Sequence, residues 1–417
     1  MGSLPPAAPS PTALSRRPLH ETIPPLIVGT ATFNTQYVSD PFSIPALSIV
    51  SRALDLGVAA FDTSPYYGPS ELILGNALAH PSITARHPRS SYFLVTKAGR
   101  IEGDVFDYSP RWVRYSVYRS LERLHTNYLD LVYMHDVEFM SPAEVLAAVR
   151  ELRRLRADGV VRYVGISGYP VSKLCDLAEM IRAGTGEPLD AVLSYGHYTI
   201  QNTTLGTSAI ARFERAGVDV VLNASMLGMG LLTTRGADAG PMASWHPSPE
   251  GLRKACHDLV PIATDADERL EVVAIRWALD NWSREGASRG SRLPKLPAAK
   301  RVGVSVMGVS NVEELEETYR VFNSVIEGLE PETSDAEQTR RRTWSLNRRE
   351  KIQGVVEKMW AVLGEWKDYG WSSPGPGFVN ARKPAEIGTT PDDGILNRRT
   401  AKLPVRVEVE EVPALAV

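Results

Sequence analysis

Short apolar runs alternate with longer segments of helical periodicity from about residue 24 to 328. Most of the apolar runs are continuous rather than alternating, which is typical of parallel strands buried on both faces. We predict eight strands: Leu26–Thr30, Ala59–Thr63, Tyr92–Lys97, Leu129–Met134, Val160–Ser167, Ala191–Tyr195, Val218–Asn223 and Val302–Met307.

The segments between these runs carry start and stop signals for helices. Ser141-Pro142-Ala143-Glu144 has the form of a capping box with proline in the first turn. Asp158-Gly159 marks a helix end, because glycine adopts the left-handed conformation without strain. Eight strands with intervening helices predict a (β/α)8 TIM barrel with long active-site loops over residues 24–330, and a doubly wound open sheet is the alternative.

Four regions fall outside this repeat. Residues 1–23 are rich in Pro, Ala and Ser and predict a disordered leader, with a transit peptide as the weaker alternative. Residues 233–264 predict a long loop with a short helix after the seventh strand, placed to cover a cofactor or substrate. Residues 284–300 are basic and predict a disordered insertion. Residues 331–417 predict a polar C-terminal extension with one helix, Arg348–Trp366, and a disordered tail.

Composition narrows the class of partner. A net charge of −3 gives no electrostatic reason to expect nucleic acid or an anionic membrane, and no stretch reaches the roughly 20 apolar residues of a membrane helix. The chain has two cysteines, Cys175 and Cys256, which excludes a disulfide framework and suits a reducing compartment. We therefore expect a cytoplasmic protein whose partner is a small molecule.

Polar residues follow the predicted second, third and fourth strands at their carboxyl ends, which converge at the catalytic mouth of a barrel. They are Asp62, Tyr67, Lys97 and His135. A tyrosine titrates near pH ~10, and a neighbouring ammonium such as Lys97 favours the phenolate. Asp62 would orient the lysine, and His135 would hydrogen-bond the reacting oxygen. Each residue alone is more often structural than catalytic, so the grouping carries the hypothesis.

The local sequences around these residues resemble the aldo-keto reductase family. The segment from Asp62 to Gly75 (DTSPYYGPSELILG), the Val95-Thr96-Lys97 strand, the Leu129–His135 strand (LDLVYMH) and Gly165-Ile166-Ser167 occur in the family's order. The resemblance covers residues 24–328. It implies that Tyr67, which directly precedes Gly68, exchanges the proton, that Asp62 and Lys97 tune it, and that His135 orients the substrate. Tyr66 is interpreted as packing.

The resemblance also implies residues that bind a nicotinamide cofactor. Ser167 fits the residue that holds the carboxamide, and the loop Ser225–Leu231 fits the pyrophosphate loop. The full set of implied cofactor residues is Gly29, Thr30, Ser167, Ser194, Ser225, Leu227, Gly230, Gly308, Ser310, Glu314, Glu317 and Thr318. Residues 307–319 hold no Lys or Arg and several glutamates, which disfavour an extra phosphate. We therefore expect NAD, with NADP possible if Arg301 or the basic insertion reaches the phosphate.

Further stretches resemble the branch of this family that contains D-arabinose and L-galactose dehydrogenases. These include Gly165–Pro170 (GISGYP), Leu193–Tyr198 (LSYGHY) and Trp245-His246-Pro247. The resemblance implies oxidation of the C1 hydroxyl of a free aldose to the lactone, with Tyr108, Asp136, Glu138 and His197 as contacts to the other hydroxyls. The alternatives are a general aldehyde or pyridoxal reductase, and a cofactor-binding regulatory barrel subunit with little turnover.

Overall fold

A computed structural model of the chain describes residues 16–298 and 300–400. Its strands are β1 (Leu26–Gly29), β2 (Ala60–Asp62), β3 (Phe93–Ala98), β4 (Leu129–His135), β5 (Val161–Gly168), β6 (Ala191–Tyr195), β7 (Val220–Ala224), β8 (Ser291–Arg292), β9 (Arg301–Val302) and β10 (Val304–Gly308). Its helices are α1 (Ala46–Asp55), α2 (Ser70–Leu78), α3 (Pro81–Thr84), α4 (Pro110–Arg123), α5 (Pro142–Ala157), α6 (Val171–Thr185), α7 (Ile210–Arg215), α8 (Glu250–His257), α9 (Val260–Asp265), α10 (Leu270–Glu285), α11 (Val312–Leu329), α12 (Ala336–Leu363) and α13 (Ile395–Thr400).

Eight parallel strands close into a barrel in which β1 pairs with both β2 and β10. This confirms the predicted (β/α)8 barrel and excludes the open sheet. The strands carry apolar residues on both faces because both faces are buried. Ile27, Val95 and Leu222 fill the barrel interior, whereas Val28, Leu94 and Val221 pack against the helices. The predicted capping box at Ser141 and Glu144 is present at the start of α5.

Two segments close the amino-terminal end of the barrel. The sequence predicts both to be disordered, but the structure shows the described residues of both packed and ordered. Leu19 and Ile23, from the predicted leader, are buried with the interior residues of the barrel. In the predicted insertion 284–300, β8 pairs antiparallel with β9, and Leu296 is buried. These anchors are too sparse to give a periodic pattern, which is why the sequence does not reveal them. Residues 1–15 lie outside the described residues.

The C-terminal extension begins with a helix longer than predicted. α12 starts at the N-cap Asp335, whose side chain accepts from the Gln338 N–H, and packs on α10 and α11. Its first turns are polar and carry no amphipathic signal, so the sequence analysis places the start twelve residues too late, at Arg348. Within the described residues, no helix is both long and apolar enough to cross a bilayer.

The segment after α12, residues 366–393, lies across the carboxyl end of the barrel and is called here the C-terminal segment. The Trp371 ring stacks on the Tyr169 ring with centroids 4.5 Å apart. Phe378 packs edge-on against Phe139 at 4.8 Å, and the Asn380 side chain bonds both the N–H and the C=O of Phe106. The prediction of a disordered tail therefore differs from the structure here, because single anchors hold a Pro- and Gly-rich chain. Residues 401–417 lie outside the described residues.

Candidate active site

The inward-facing residues at the carboxyl ends of the strands form one layer at the mouth of the barrel. Asp62 ends β2, Lys97 lies next to the end of β3, and His135 ends β4. Because strand side chains alternate between faces, all three point inward with the interior residues two positions earlier on their strands. Tyr67 stands in the loop after β2, with its ring centroid 4.8 Å from the Lys97 Nζ and 5.6 Å from the His135 ring. The structure thus brings the four predicted catalytic residues together.

Lys97 and Asp62 form a buried ion pair beneath Tyr67. The Lys97 Nζ donates to Asp62 Oδ1 at 2.5 Å and to the Thr63 carbonyl oxygen at 3.0 Å. Burial raises the pKa of the Asp62 carboxyl, and the lysine acts in the opposite direction. Since the two charges lie within hydrogen-bond distance, the pair presents little net charge to its surroundings.

This compensation reverses one expectation about Tyr67. The sequence analysis expects Lys97 to favour the phenolate, but the pKa of Tyr67 lies well above its usual value. Burial is the largest cause, followed by the negative charges of Asp62 and Asp136, while Arg100 acts in the opposite direction. The charge of Asp62 opposes the lysine's attraction for the phenolate. In this state Tyr67 therefore keeps its proton at neutral pH, as a proton donor requires.

His135 is held as a neutral imidazole. Burial lowers its pKa to about 3. Its Nδ1 lies 3.1 Å from Ser64 Oγ, and that oxygen accepts from the Tyr66 N–H at 3.1 Å. The Ser64 hydroxyl can donate to Nδ1, and in that tautomer the hydrogen of the neutral ring lies on Nε2. Nε2 can then donate to a reacting oxygen. The sequence analysis passes over Ser64, although it lies within the Asp62–Gly75 motif.

The predicted sugar contacts all have protein partners. The Tyr108 hydroxyl donates to the His135 carbonyl oxygen at 2.5 Å, and the Asp136 carboxylate pairs with Arg100. Glu138 Oε1 accepts from the Tyr169 N–H at 3.1 Å and from Ser373 Oγ at 2.9 Å. Burial, with a contribution from the charge of Asp136, raises the pKa of Glu138 to about 8. His197 Nδ1 lies 3.0 Å from the Tyr195 carbonyl oxygen.

The predicted nicotinamide residues differ in the direction of their side chains, because alternate residues of a strand face the barrel interior or the helices. Ser167 faces the mouth, and its Oγ makes a long bond of 3.3 Å to the Met134 carbonyl oxygen, so it remains able to hold a carboxamide. Gly29 faces inward on β1. Thr30 and Ser194 point outward instead, and Thr30 Oγ1 bonds the Asp62 carbonyl oxygen. The inward side chain at the end of β6 is Tyr195, which packs with the interior residues and offers a ring face for stacking.

The predicted pyrophosphate loop after β7 is tightly coiled. Ser225, Gly228, Met229 and Gly230 all have positive φ, between 55° and 98°. Leu227 (φ −91°, ψ 11°) is followed by the left-handed Gly228, and a turn with this change of hand is one of the backbone conformations that bind anions. Leu227 lies within the coil, and its carbonyl oxygen accepts from the Gly230 N–H at 3.1 Å. The residues present therefore fit a phosphate-bearing cofactor.

The predicted adenosine segment, after β10, is rich in internal contacts. Glu314 accepts from the Ser310 N–H at 2.7 Å and from Ser310 Oγ at 3.0 Å. Glu317 pairs with Arg269, Thr318 is buried, and Gly308 ends the strand in an exposed position. Arg301, the alternative partner of a 2′-phosphate, lies on β9 at the amino-terminal end of the barrel, away from this segment.

The long loop after β7 reaches over the mouth, as predicted from its position. The Trp245 Nε1 donates to the Gln36 carbonyl oxygen at 2.9 Å, which joins this loop to the loop after β1. The His246 ring contacts Trp371 of the C-terminal segment edge-on at 5.4 Å. The sequence analysis does not identify the C-terminal segment or Arg100 as parts of this site. The aromatic residues Trp371 and Phe378 are the signal that could have indicated the segment.

Comparison with known proteins agrees with this geometry. Residues 25–331 match the model of the Aldo/keto reductase family. The chain is 38% identical over 308 residues to D-arabinose 1-dehydrogenase of Saccharomyces cerevisiae, covering 73% of this chain and 85% of the relative. It is 32% identical over 289 residues to L-galactose dehydrogenase of Arabidopsis thaliana, covering 69% and 84%. Glycerol dehydrogenase of Gluconobacter oxydans has a similar fold, with a TM-score of 0.53 and 20% identity over 87% of this chain and 98% of that one.

The family match spans the whole barrel, and both sequence relatives are named as dehydrogenases. The chain is therefore an NAD(P)-dependent oxidoreductase that acts on CH–OH groups, as the sequence analysis predicts. Its barrel, its four clustered residues and its family match lead to one assignment: this chain is a member of the aldo/keto reductase family.

Proposed function

We propose that the enzyme oxidises the C1 hydroxyl of a free aldose, of the D-arabinose or L-galactose type, to the lactone with NAD. The arrangement that supports this most directly is the neutral His135 imidazole beside Tyr67 and the Lys97–Asp62 pair. The relatives named as D-arabinose 1-dehydrogenase and L-galactose dehydrogenase suggest the substrate class.

In this proposal each residue acts on the C1 oxygen. The bound nicotinamide supplies the acceptor for the C1 hydride. The His135 Nε2–H donates to the C1 oxygen and holds it. Tyr67 takes the hydroxyl proton as the C1–O bond becomes a carbonyl, so Tyr67 must first release its own proton to solvent and stand as the phenolate when the step begins. The Lys97 ammonium lies close enough to stabilise that phenolate.

The remaining hydroxyls of the sugar would contact four side chains. Tyr108 and Asp136 lie beside His135, and Glu138 and His197 lie beside the C-terminal segment. D-Arabinose and L-galactose differ by one CH2OH group, and a pocket gains only about 1–3 kcal/mol from such a group. We therefore expect both sugars to be oxidised, with a modest preference for one.

NAD is the proposed cofactor. The adenosine segment lies away from Arg301. Two of its glutamates already form ion pairs with the arginines beside them. Arg269 binds Glu317, and Arg52 donates to Glu316 Oε1 at 2.7 Å. A 2′-phosphate would meet these carboxylates without a free cation among the contacts described for them. Measurement of kcat/KM with both cofactors tests this, and a tenfold preference for NADP would contradict it.

The main proposal is tested by following the formation of NADH with free aldoses as substrates. D-Arabinose, L-galactose and L-fucose are included. Tyr67→Phe should keep NADH binding, measured by fluorescence, and lose turnover by about 10²–10⁴-fold, the range of general acid–base catalysis. Tyr66→Phe is the matched control. The Tyr66 ring lies beside that of Tyr67, with centroids 6.1 Å apart, and the Tyr66 hydroxyl accepts from Gln36. Removal of this hydroxyl should therefore leave most of the turnover.

A second candidate is a general aldehyde reductase. The raised pKa of Tyr67 supports it, because a protonated tyrosine suits carbonyl reduction at neutral pH. Comparing aldose oxidation with reduction of simple aldehydes and pyridoxal separates the two. Cofactor binding with little turnover in either direction would instead favour the regulatory barrel subunit.

A further inference from the structure

A carboxylate faces the ring nitrogen that the proposed mechanism needs. Asp136 Oδ2 lies 3.6 Å from His135 Nε2. Asp136 follows β4 with a left-handed backbone, φ 57°, a conformation that non-glycine residues rarely adopt. That turn places its side chain beside the imidazole of the preceding residue. A carboxylate at this position competes for the Nε2–H and favours the imidazolium.

Arg100 holds this carboxylate. Its guanidinium donates to Asp136 Oδ2, to the Gly103 carbonyl oxygen at 2.8 Å and to the Glu102 carbonyl oxygen at 3.3 Å. Its plane lies over the Tyr66 ring, with Cζ 3.9 Å from the centroid. The loop after β3 therefore fixes the guanidinium on one side, and the guanidinium fixes the carboxylate on the other.

Arg100 also balances the charges around the imidazole. The charged groups near His135 are Lys97, Asp136 and Arg100, and Asp136 alone favours the protonated ring. Its other neighbours are the side chains of Ser64, Tyr66 and Tyr67. Without Arg100, the carboxylate would lose its strongest partner and move to the nearest remaining donor, which is Nε2.

We propose that Arg100 is a positioning residue that holds the Asp136 carboxylate away from the His135 Nε2–H, so that a neutral imidazole offers this N–H to the substrate's C1 oxygen. The inference rests on the proposed function for the identity of that oxygen. It adds a fifth residue to the site, one that acts on the substrate only through Asp136 and His135.

The first test is the titration of His135 itself. Carbon-13 labelling of histidine Cε1 gives one NMR signal per histidine, and the His135 signal is identified by its loss in His135→Gln. In the native enzyme this signal should not titrate above pH 5, because burial holds the pKa of His135 at about 3. In Arg100→Met the midpoint of the titration should rise, because one of the two cations that oppose Asp136 is then gone, while burial still lowers the pKa. Adding Asp136→Asn to Arg100→Met removes the carboxylate, and the signal should again not titrate above pH 5.

The second readout is aldose oxidation near pH 7. Arg100→Met should lower kcat/KM by up to about 10²–10³-fold, the loss seen when one donor to a developing charge is removed. The double variant should recover part of that loss. Arg100→Lys keeps a cation and should lie between the native enzyme and Arg100→Met in both readouts. It carries the same test if Arg100→Met does not fold.

A His135 titration midpoint that is the same in the native enzyme and in both Arg100 variants would overturn the inference. So would a loss of activity in Arg100→Met that Asp136→Asn leaves unchanged. If the native enzyme oxidises no aldose, the proposed function fails, yet the titration still decides whether Arg100 keeps His135 neutral.

Discussion

The close approach of Glu138 to Gly168 allows the effect of Gly168→Ala on the free energy of unfolding to be predicted. Gly168 is the last residue of β5. A Cβ built at Gly168 would lie 2.3 Å from Glu138 Oε2, closer than real Cβ contacts allow. Gly168 does not have a positive φ, so alanine suits its backbone. The carboxyl of Glu138 therefore occupies the space of the missing side chain, and Gly168→Ala must displace it.

The cost follows from the bonds that Glu138 would lose. Its Oε1 accepts from the Tyr169 N–H and from Ser373 Oγ. With a pKa of about 8, the carboxyl is neutral at pH 7, and each neutral hydrogen bond contributes roughly 1 kcal/mol. Gly168→Ala should therefore lower the free energy of unfolding by about 2 kcal/mol, partly offset by about 0.4–1 kcal/mol from the stiffer unfolded chain.

The assay is urea unfolding at pH 7 in three backgrounds. In Glu138→Ala the obstacle is absent, so adding Gly168→Ala should be neutral or stabilising. Glu138→Gln is the matched control, because it keeps the volume at that position, and there the cost of Gly168→Ala should persist. Equal effects of Gly168→Ala in the native and Glu138→Ala backgrounds would refute the reasoning.

Three further outcomes follow from other parts of the molecule. Because the pKa of Tyr67 is raised well above its usual value, kcat/KM for aldose oxidation should rise with pH from 7 to 10 as the phenolate fraction grows, whereas kcat/KM for carbonyl reduction should stay level over the same range; a flat oxidation profile from pH 7 to 10 would contradict this. Gly75→Ala places Cβ 1.9 Å from the Arg123 carbonyl oxygen and should destabilise the fold by about 1–3 kcal/mol, whereas Gly354→Ala, with open space in α12, should stabilise it by up to about 1 kcal/mol in the same urea assay. Trp371→Ala removes the stack on the loop after β5; it should raise the KM for the aldose more than that for NAD and speed tryptic cleavage of the C-terminal segment, and an unchanged cleavage rate would show that the ring does not anchor the segment.

The barrel was predictable because its signal repeats. Each strand is an apolar run between turn residues, and Ala191–Tyr195 is predicted without error. The start of the last strand is predicted less accurately. The sequence analysis assigns Val302 to that strand, but Arg301–Val302 pairs with β8 in a separate hairpin at the amino-terminal end of the barrel. A run of apolar residues does not show where one strand stops and the next begins when Gly303 alone separates them.

The clustering of the four catalytic candidates was predictable because parallel strands bring their carboxyl ends together. The state of Tyr67 was not, since its pKa depends first on burial and then on the charges of Asp62 and Asp136, which only the folded structure places beside it. The roles of Thr30 and Ser194 also depend on parity, because a shift of one residue along a strand turns a side chain from the mouth to the helices. Arg100 has no motif of its own, and only its contacts identify it.

The C-terminal segment has a consequence for the order in which the enzyme is made. Synthesis proceeds from the amino terminus, so the strands and the four clustered residues leave the ribosome before residues 366–393 do. Ser373, the donor to Glu138, and Phe378, which packs over the loops after β3 and β4, are among the last parts of the described chain to emerge. While residues 366–393 are still inside the ribosome, a barrel formed from the earlier strands has its four clustered residues in place but an open mouth. The pocket is complete only once this segment has emerged and packed on the loops.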